Sequence, residues 1–201
     1  MISGKMNIKK IVNYLTLLLL FFYYTLSAQA EESLPPEFTQ FVQLFKQQNE
    51  STVDFKEEKY ASYLDQPLRS SGEMHFSAPD KLSKLILKPE FTSQKISGDQ
   101  LEIKTPSEVH NIDLKERPEF SVILRALIAL LAGDQDFLQQ NFKIKYNPLK
   151  TSWSLLLTPN DSYVAGYVES IKISGKMQKL VQIIITEPNN DKTITDLFNH
   201  R

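Results

Sequence analysis

Pro118-Glu119-Phe120-Ser121-Val122-Ile123-Leu124-Arg125-Ala126-Leu127-Ile128-Ala129-Leu130-Leu131-Ala132-Gly133 is the stretch on which the reading of this chain turns. Proline suits the first helical position, where its missing N–H costs nothing, and glycine suits a left-handed stop, so the spacing predicts a helix over 118–132. Arg125 is its only charge after Glu119. A helix apolar nearly all round is buried on several sides, and at this length it cannot cross a bilayer, which takes ~20 apolar residues. It is either a central core helix or a lid that closes an apolar concavity formed by its surroundings.

Those surroundings read as strands. Val53, Phe55 and Glu57 share one parity and Asp54, Lys56 and Glu58 the other. Gly72, Met74 and Phe76 alternate with Glu73, His75 and Ser77 until Ala78-Pro79-Asp80 breaks the run. Further strands are expected over 81–88, 91–96, 101–104 and 109–114, with Ser97-Gly98-Asp99-Gln100 as a hairpin turn. Beyond the helix, apolar residues alternate at Phe142/Ile144/Tyr146, Trp153/Leu155/Leu157, Ile171/Ile173 and Val181/Ile183/Ile185. Asn147-Pro148 and Asn160-Asp161 supply turns between these runs. About ten short strands at this spacing predict an antiparallel meander with one face wet or thinly covered. Ahead of them, Leu34, Phe38, Phe41, Val42 and Phe45 form one helical stripe after Pro35-Pro36, predicting a helix over 37–48 that buries its phenylalanines. The fold class is mainly β, of the α+β kind.

The first thirty residues read differently. Lys5, Lys9 and Lys10 precede the uncharged run from Ile11 to Leu26, and Ser27-Ala28-Gln29-Ala30 follows. A basic segment, an apolar segment and an Ala-x-Ala site make a cleavable secretory signal peptide, residues 1–30. The domain left, 31–201, then carries 20 basic and 24 acidic side chains, a net charge of −4. It is expected to be a single exported domain in the periplasm.

Composition excludes several chemistries. The chain has no cysteine, so thiol catalysis, disulfides and thiolate metal sites are impossible, and its three histidines, at 75, 110 and 200, are too scattered for a local ligand motif. A formal charge of −1 over the whole chain argues against nucleic-acid binding. His-Glu-x-x-His, Gly-x-Ser-x-Gly, Walker and Gly-x-Gly-x-x-Gly signatures are absent. Pairs such as Glu57-Glu58, or Asp134 and Asp136, arise by chance among 24 acids and usually mark solvated faces. No catalytic set, metal site or cofactor site is expected, and the protein reads as a non-enzyme.

Several motifs in their order resemble the periplasmic outer-membrane lipoprotein carriers, the LolA-like family. They are the phenylalanine-rich first helix, Val53-Asp54-Phe55, Ser71-Gly72-Glu73-Met74-His75-Phe76 leading into Ala78-Pro79, Ile96-Ser97-Gly98-Asp99-Gln100-Leu101-Glu102-Ile103, the helix after Pro118 and Leu157-Thr158-Pro159. The resemblance covers most of residues 34–186 and implies an incomplete antiparallel barrel with helices over its open mouth. It also implies a carrier that takes an acylated lipoprotein or other amphipathic lipid from an inner-membrane donor protein towards an outer-membrane acceptor, touching the membrane side only transiently and working as a monomer. The physics agrees: at ~0.8 kcal/mol per CH₂, a chain of about fourteen carbons crosses water only inside an apolar container. Candidate wall residues of that lipid-binding cavity are Phe55, Met74, Phe76, Leu85 and Leu87. Candidate lid residues are Leu124, Leu127, Ile128 and Leu131. The sequence departs from the family where carriers place an arginine before the proline after the second strand. Here that residue is Ala78, so access is expected to be gated mainly by apolar contacts of the 118–132 helix, and the cargo to differ from the general lipoprotein pool. A structural adaptor in an envelope complex, with a filled interior and a flat apolar patch, and a periplasmic hydrolase, with His, acid and hydroxyl converging in a cleft, are the alternatives.

Overall fold

The protein, seen in a computed structural model, is described over residues 36–46 and 49–201; the expected signal peptide and its cleavage site lie outside them. No helix among the described residues is long and apolar enough to cross a membrane. Among the described residues eleven strands form one antiparallel sheet: β1 (Glu50–Tyr60), β2 (Leu68–Ser77), β3 (Lys81–Lys88), β4 (Thr92–Ser97), β5 (Gln100–Lys104), β6 (Val109–Asp113), β7 (Phe142–Pro148), β8 (Ser152–Pro159), β9 (Ser170–Lys176), β10 (Lys179–Thr186) and β11 (Lys192–Phe198). Their order is β6-β5-β4-β3-β2-β1-β11-β10-β9-β8-β7, so among the described residues β6 and β7 are the edges of the sheet and the barrel is incomplete.

Two consecutive meanders are joined by one strand, β11, which pairs with β1 on one side and β10 on the other. The two edges are linked by a 3₁₀ turn (Leu114–Glu116) and two helices, α2 (Pro118–Ala132) and α3 (Gln135–Asn141). Both ends of α2 follow from sequence. Pro118 opens it, and Gly133 closes it at φ 72°, its N–H bonded to the carbonyls of Ala129 and Leu130. Asp134 then caps α3 by accepting from the Phe137 N–H at 3.0 Å. Helix α1 (Pro36–Phe45) buries Phe38, Phe41, Val42 and Phe45, and α4 (Ser162–Ala165) is a single turn capped by Asp161.

Strand alternation sets the two faces, and in β3 it is settled by a bulge. Ser71 pairs with Lys88 but Gly72 with Ile86, which leaves Leu87 as the extra residue. The strands come so close there that a Cβ on Gly72 would lie 1.8 Å from the Leu85 carbonyl oxygen. Cross-strand pairing of Phe76 with Leu82 and of Met74 with Lys84 puts Leu82 and Lys84 on the inner face.

The inner face is filled at one end. There Phe41 stacks on Tyr146 with ring centroids 4.7 Å apart and meets Trp153 edge-on at 4.6 Å, while Phe45 meets the same indole at 5.8 Å. The indole N–H donates to the Met177 carbonyl at 2.7 Å. Gly175 lies beneath the ring, where a Cβ would come within 2.3 Å of it.

Candidate functional site

Helix α2 has two unlike faces. Ala126 and Leu130 are fully buried, whereas Ile123, Leu124 and Leu127 are half-buried because they look into a void. That void, about 300 Å³, lies between α2 and the inner face of the sheet. Its walls are Met74, Leu82, Ile96, Leu101 and Ile103 from β2 to β5, and Ile171, Ile173, Ile183 and Ile185 from β9 and β10. Among the described residues no aromatic ring lines it. Alternation explains the convergence: each of these residues has the inward parity of its strand, and branched aliphatic side chains of Leu and Ile size stop short of meeting across the concavity.

A second pocket, about 230 Å³, lies next to the first and shares Met74, Leu82, Leu127 and Ile183 with it as lining. Its lining also includes the polar residues Glu50, Gln178, Lys179, His200 and Arg201. Arg201 is held by Asp54 at 2.8 Å and Glu73 at 3.1 Å. Hydrogen bonding by Asn199, reinforced by Arg201 and opposed by partial burial, keeps the Asp54 carboxyl below the usual carboxylate range. Burial holds the His200 imidazole below its ordinary pKa; a hydrogen bond with the Leu180 backbone opposes this and Lys179 adds to it.

The main cavity is not wholly apolar. Glu57, Lys84, Gln94 and Thr195 also line it. Lys84 Nζ donates to Glu57 Oε2 at 2.6 Å, the Thr195 hydroxyl donates to the same oxygen at 2.7 Å, and the ammonium sits 4.7 Å from the Phe55 ring centroid.

The expected site residues divide as follows. Met74, Leu124 and Leu127 line the main cavity, and Phe76 and Leu131 line the second pocket. Phe55 has the inward parity but is only 1% exposed, covered from the cavity by Lys84 above its ring. Ile128 turns towards a wider polar depression of about 690 Å³ beside α1 and α3. Leu85 and Leu87 are corrections: Leu85 pairs with Glu73 on the outer face, and Leu87 is the bulged residue, half exposed. Their inward counterparts are Leu82 and Lys84. Arg125 of α2 pairs with Asp99 in the β4–β5 turn, and Lys115 meets the same carboxylate at 2.9 Å, so the helix brings its own cation to the strand turn even though Ala78 has none to offer.

The histidines are dispersed. His75 Nδ1 lies 2.9 Å from the Thr52 hydroxyl across β1 and β2, His110 pairs with Glu108 on the exposed strand β6, and His200 stands at the second pocket. The groups of His, Asp and Glu among the described residues include none arranged to hold a metal ion.

The fold resembles solved structures at low identity. A LolA superfamily protein from Nitrosomonas europaea is 11% identical with a TM-score of 0.45, over 81% of this chain and 91% of that one. The lipoprotein LppX of Mycobacterium tuberculosis is 12% identical with a TM-score of 0.45, over 81% and 91%. In the MucA/MucB complex of Pseudomonas aeruginosa the match is 11% identical with a TM-score of 0.48, over 82% of this chain and 56% of that one. Comparison with curated protein sequences gives no match. The family model described as outer membrane lipoprotein carrier protein LolA-like matches residues 28–198, which is nearly the whole chain, and the protein therefore belongs to the LolA-like family.

Proposed function

We propose that the protein is a non-catalytic periplasmic carrier, exported by residues 1–30, that shields acyl chains of a lipoprotein or other amphipathic lipid while they pass from an inner-membrane donor towards an outer-membrane acceptor. The observation that carries this reading is the aliphatic cavity of about 300 Å³ between α2 and the sheet, beside a polar-rimmed second pocket. An acyl chain entering it exchanges water for Leu, Ile and Met side chains at ~25 cal/mol per Å² of apolar surface, and no bond need be made or broken. An adaptor with a filled interior has no use for such a space. Membership in the carrier family supports the same reading.

The test is mass spectrometry of lipids extracted from protein purified natively from the envelope, wild type beside Leu127→Glu. Leu127 lines both pockets, so a carboxylate there puts a charge where the chain would lie. Wild type is expected to carry acyl species near one per protein and the variant none, with the variant still folded because the half-buried position gives the carboxylate a route to water. Delipidated, correctly folded wild type that takes up no acyl ligand would overturn the reading.

A further inference from the structure

A container for hydrocarbon alone gains nothing from a lysine and a glutamate in its wall. Two ions taken from water lose several kcal/mol of solvation each, and replacing a buried pair with aliphatic residues is commonly neutral or stabilising. Here the two side chains are each 19% exposed and face a cavity whose other walls are almost entirely Leu, Ile and Met. They therefore call for a role in what the cavity holds.

The Glu57 carboxylate is engaged, with Lys84 and Thr195 on Oε2 and the Ser70 hydroxyl 3.5 Å from Oε1. An ammonium has three N–H donors, of which Lys84 gives one to Glu57. Gln94 is the cross-strand partner of Lys84, lines the same cavity, and has no protein hydrogen-bond partner for its carboxamide among the described residues. The unused capacity at this wall thus consists of donors on Lys84 and a whole amide on Gln94, side by side. It is suited to an acceptor. Because Glu57 already neutralises Lys84, the acceptor needs no charge, and an anion would face the Glu57 carboxylate across a few ångströms of apolar space.

We infer that the cavity selects ligands that bring a neutral carbonyl, an acyl ester or amide, to Lys84 and Gln94, with the hydrocarbon lying along the Ile and Leu walls. This rests on the carrier reading and narrows it: the chain is held together with its linkage, not by its tail alone. Burying a hydrocarbon against these donors would leave them unpaired, so the same pair of residues discriminates against a ligand without the carbonyl.

The experiment is displacement of the fluorescent probe N-phenylnaphthylamine from the delipidated protein by methyl myristate, by myristate and by tetradecane. Wild type is expected to bind the ester about tenfold more tightly than the hydrocarbon, the worth of one good net hydrogen bond, and more tightly than the free acid. In Gln94→Leu combined with Glu57→Gln and Lys84→Met, which removes both charges together, the preference for the ester should vanish while tetradecane binds as well as before or better. Probe uptake by that variant reports that its cavity is intact. Equal wild-type affinity for ester and hydrocarbon, or tighter binding of the free acid, would overturn the inference and leave the carrier reading standing. If neither the probe nor any of the three ligands enters the wild-type protein, both fail.

Discussion

The two ends of the inner face are built by the same alternation and filled in different ways. Under α1, strands β7 and β8 present Tyr146 and Trp153 to Phe38, Phe41 and Phe45, and the rings interlock with centroids between 4.6 and 5.8 Å apart. Under the half-buried face of α2, strands β2 to β5 and β9 to β10 present Leu, Ile and Met, and a space of about 300 Å³ is left. Topology does not make the difference, since both ends belong to one sheet. Side-chain type does: flat rings reach across the concavity and tile, while branched aliphatic chains end short of one another. The filled end supplies rigidity and the hollow end capacity.

Changes at the filled end should therefore cost most. Phe41→Ala removes the ring that bridges Tyr146 and Trp153 and should destabilise the domain by ~3–5 kcal/mol in denaturant unfolding, the usual range for a buried phenylalanine. A loss under ~1 kcal/mol would mean that this end is no better packed than the other.

The hollow end should accept bulk that a filled core rejects. Leu124→Phe points a larger side chain into the cavity and is expected to leave the melting temperature unchanged or raised while lowering probe uptake, whereas overpacking a tight core costs ~1–3 kcal/mol. A comparable loss of stability at Leu124 would erase the contrast between the ends.

A smaller effect is expected where α2 meets the β4–β5 turn. Asp99 pairs with Arg125 and Lys115, but the Asp99 and Arg125 side chains are each about a third exposed, so Asp99→Asn should cost under ~1 kcal/mol. Its readout is kinetic. Release of bound probe should accelerate in stopped-flow dilution if the pair helps to hold the helix over the cavity, and an unchanged rate would leave that task to apolar contacts.

The smallest effect concerns the second pocket. His200 has a folded-state pKa below the ordinary value of about 6.5, so below that pH the unfolded chain binds more protons than the folded one. The group thus costs stability as the pH falls through this range and nothing above it. His200→Gln should flatten the decline in melting temperature on acidification, and parallel curves for variant and wild type would show that the imidazole titrates alike in both states.

The limits of α2 were legible because Pro118 and Gly133 have one good use each at a helix end, and β2 and β8 because their alternation is unbroken. Strand β3 was not. Lys81-Leu82-Ser83-Lys84-Leu85-Ile86-Leu87-Lys88 places two apolar residues at each parity, Leu82 and Ile86 against Leu85 and Leu87, so the pattern does not say which face is inward. Only pairing with β2, shifted by the bulge, resolves it. The same shift conceals Lys84, since a lysine on an inner face runs against the pattern from which faces are read. Strand β11 escaped because Thr193, Thr195 and Asp196 look like a polar tail; its strand character comes from having β1 and β10 on either side. Tertiary pairing, which a local pattern cannot encode, set both the wall of the site and the closure of the sheet.

The most direct test of the proposed acyl-chain site at the hollow end is to map where such a chain goes. Delipidated protein loaded with a diazirine-bearing myristoyl ester, irradiated and digested, should give cross-linked peptides from α2 around residues 123–127 and from the inner faces of β3, β4, β9 and β10, with none from α1 or β7. Cross-links concentrated on the outer face at Leu85 and Leu87, or spread over the aromatic end, would contradict the account.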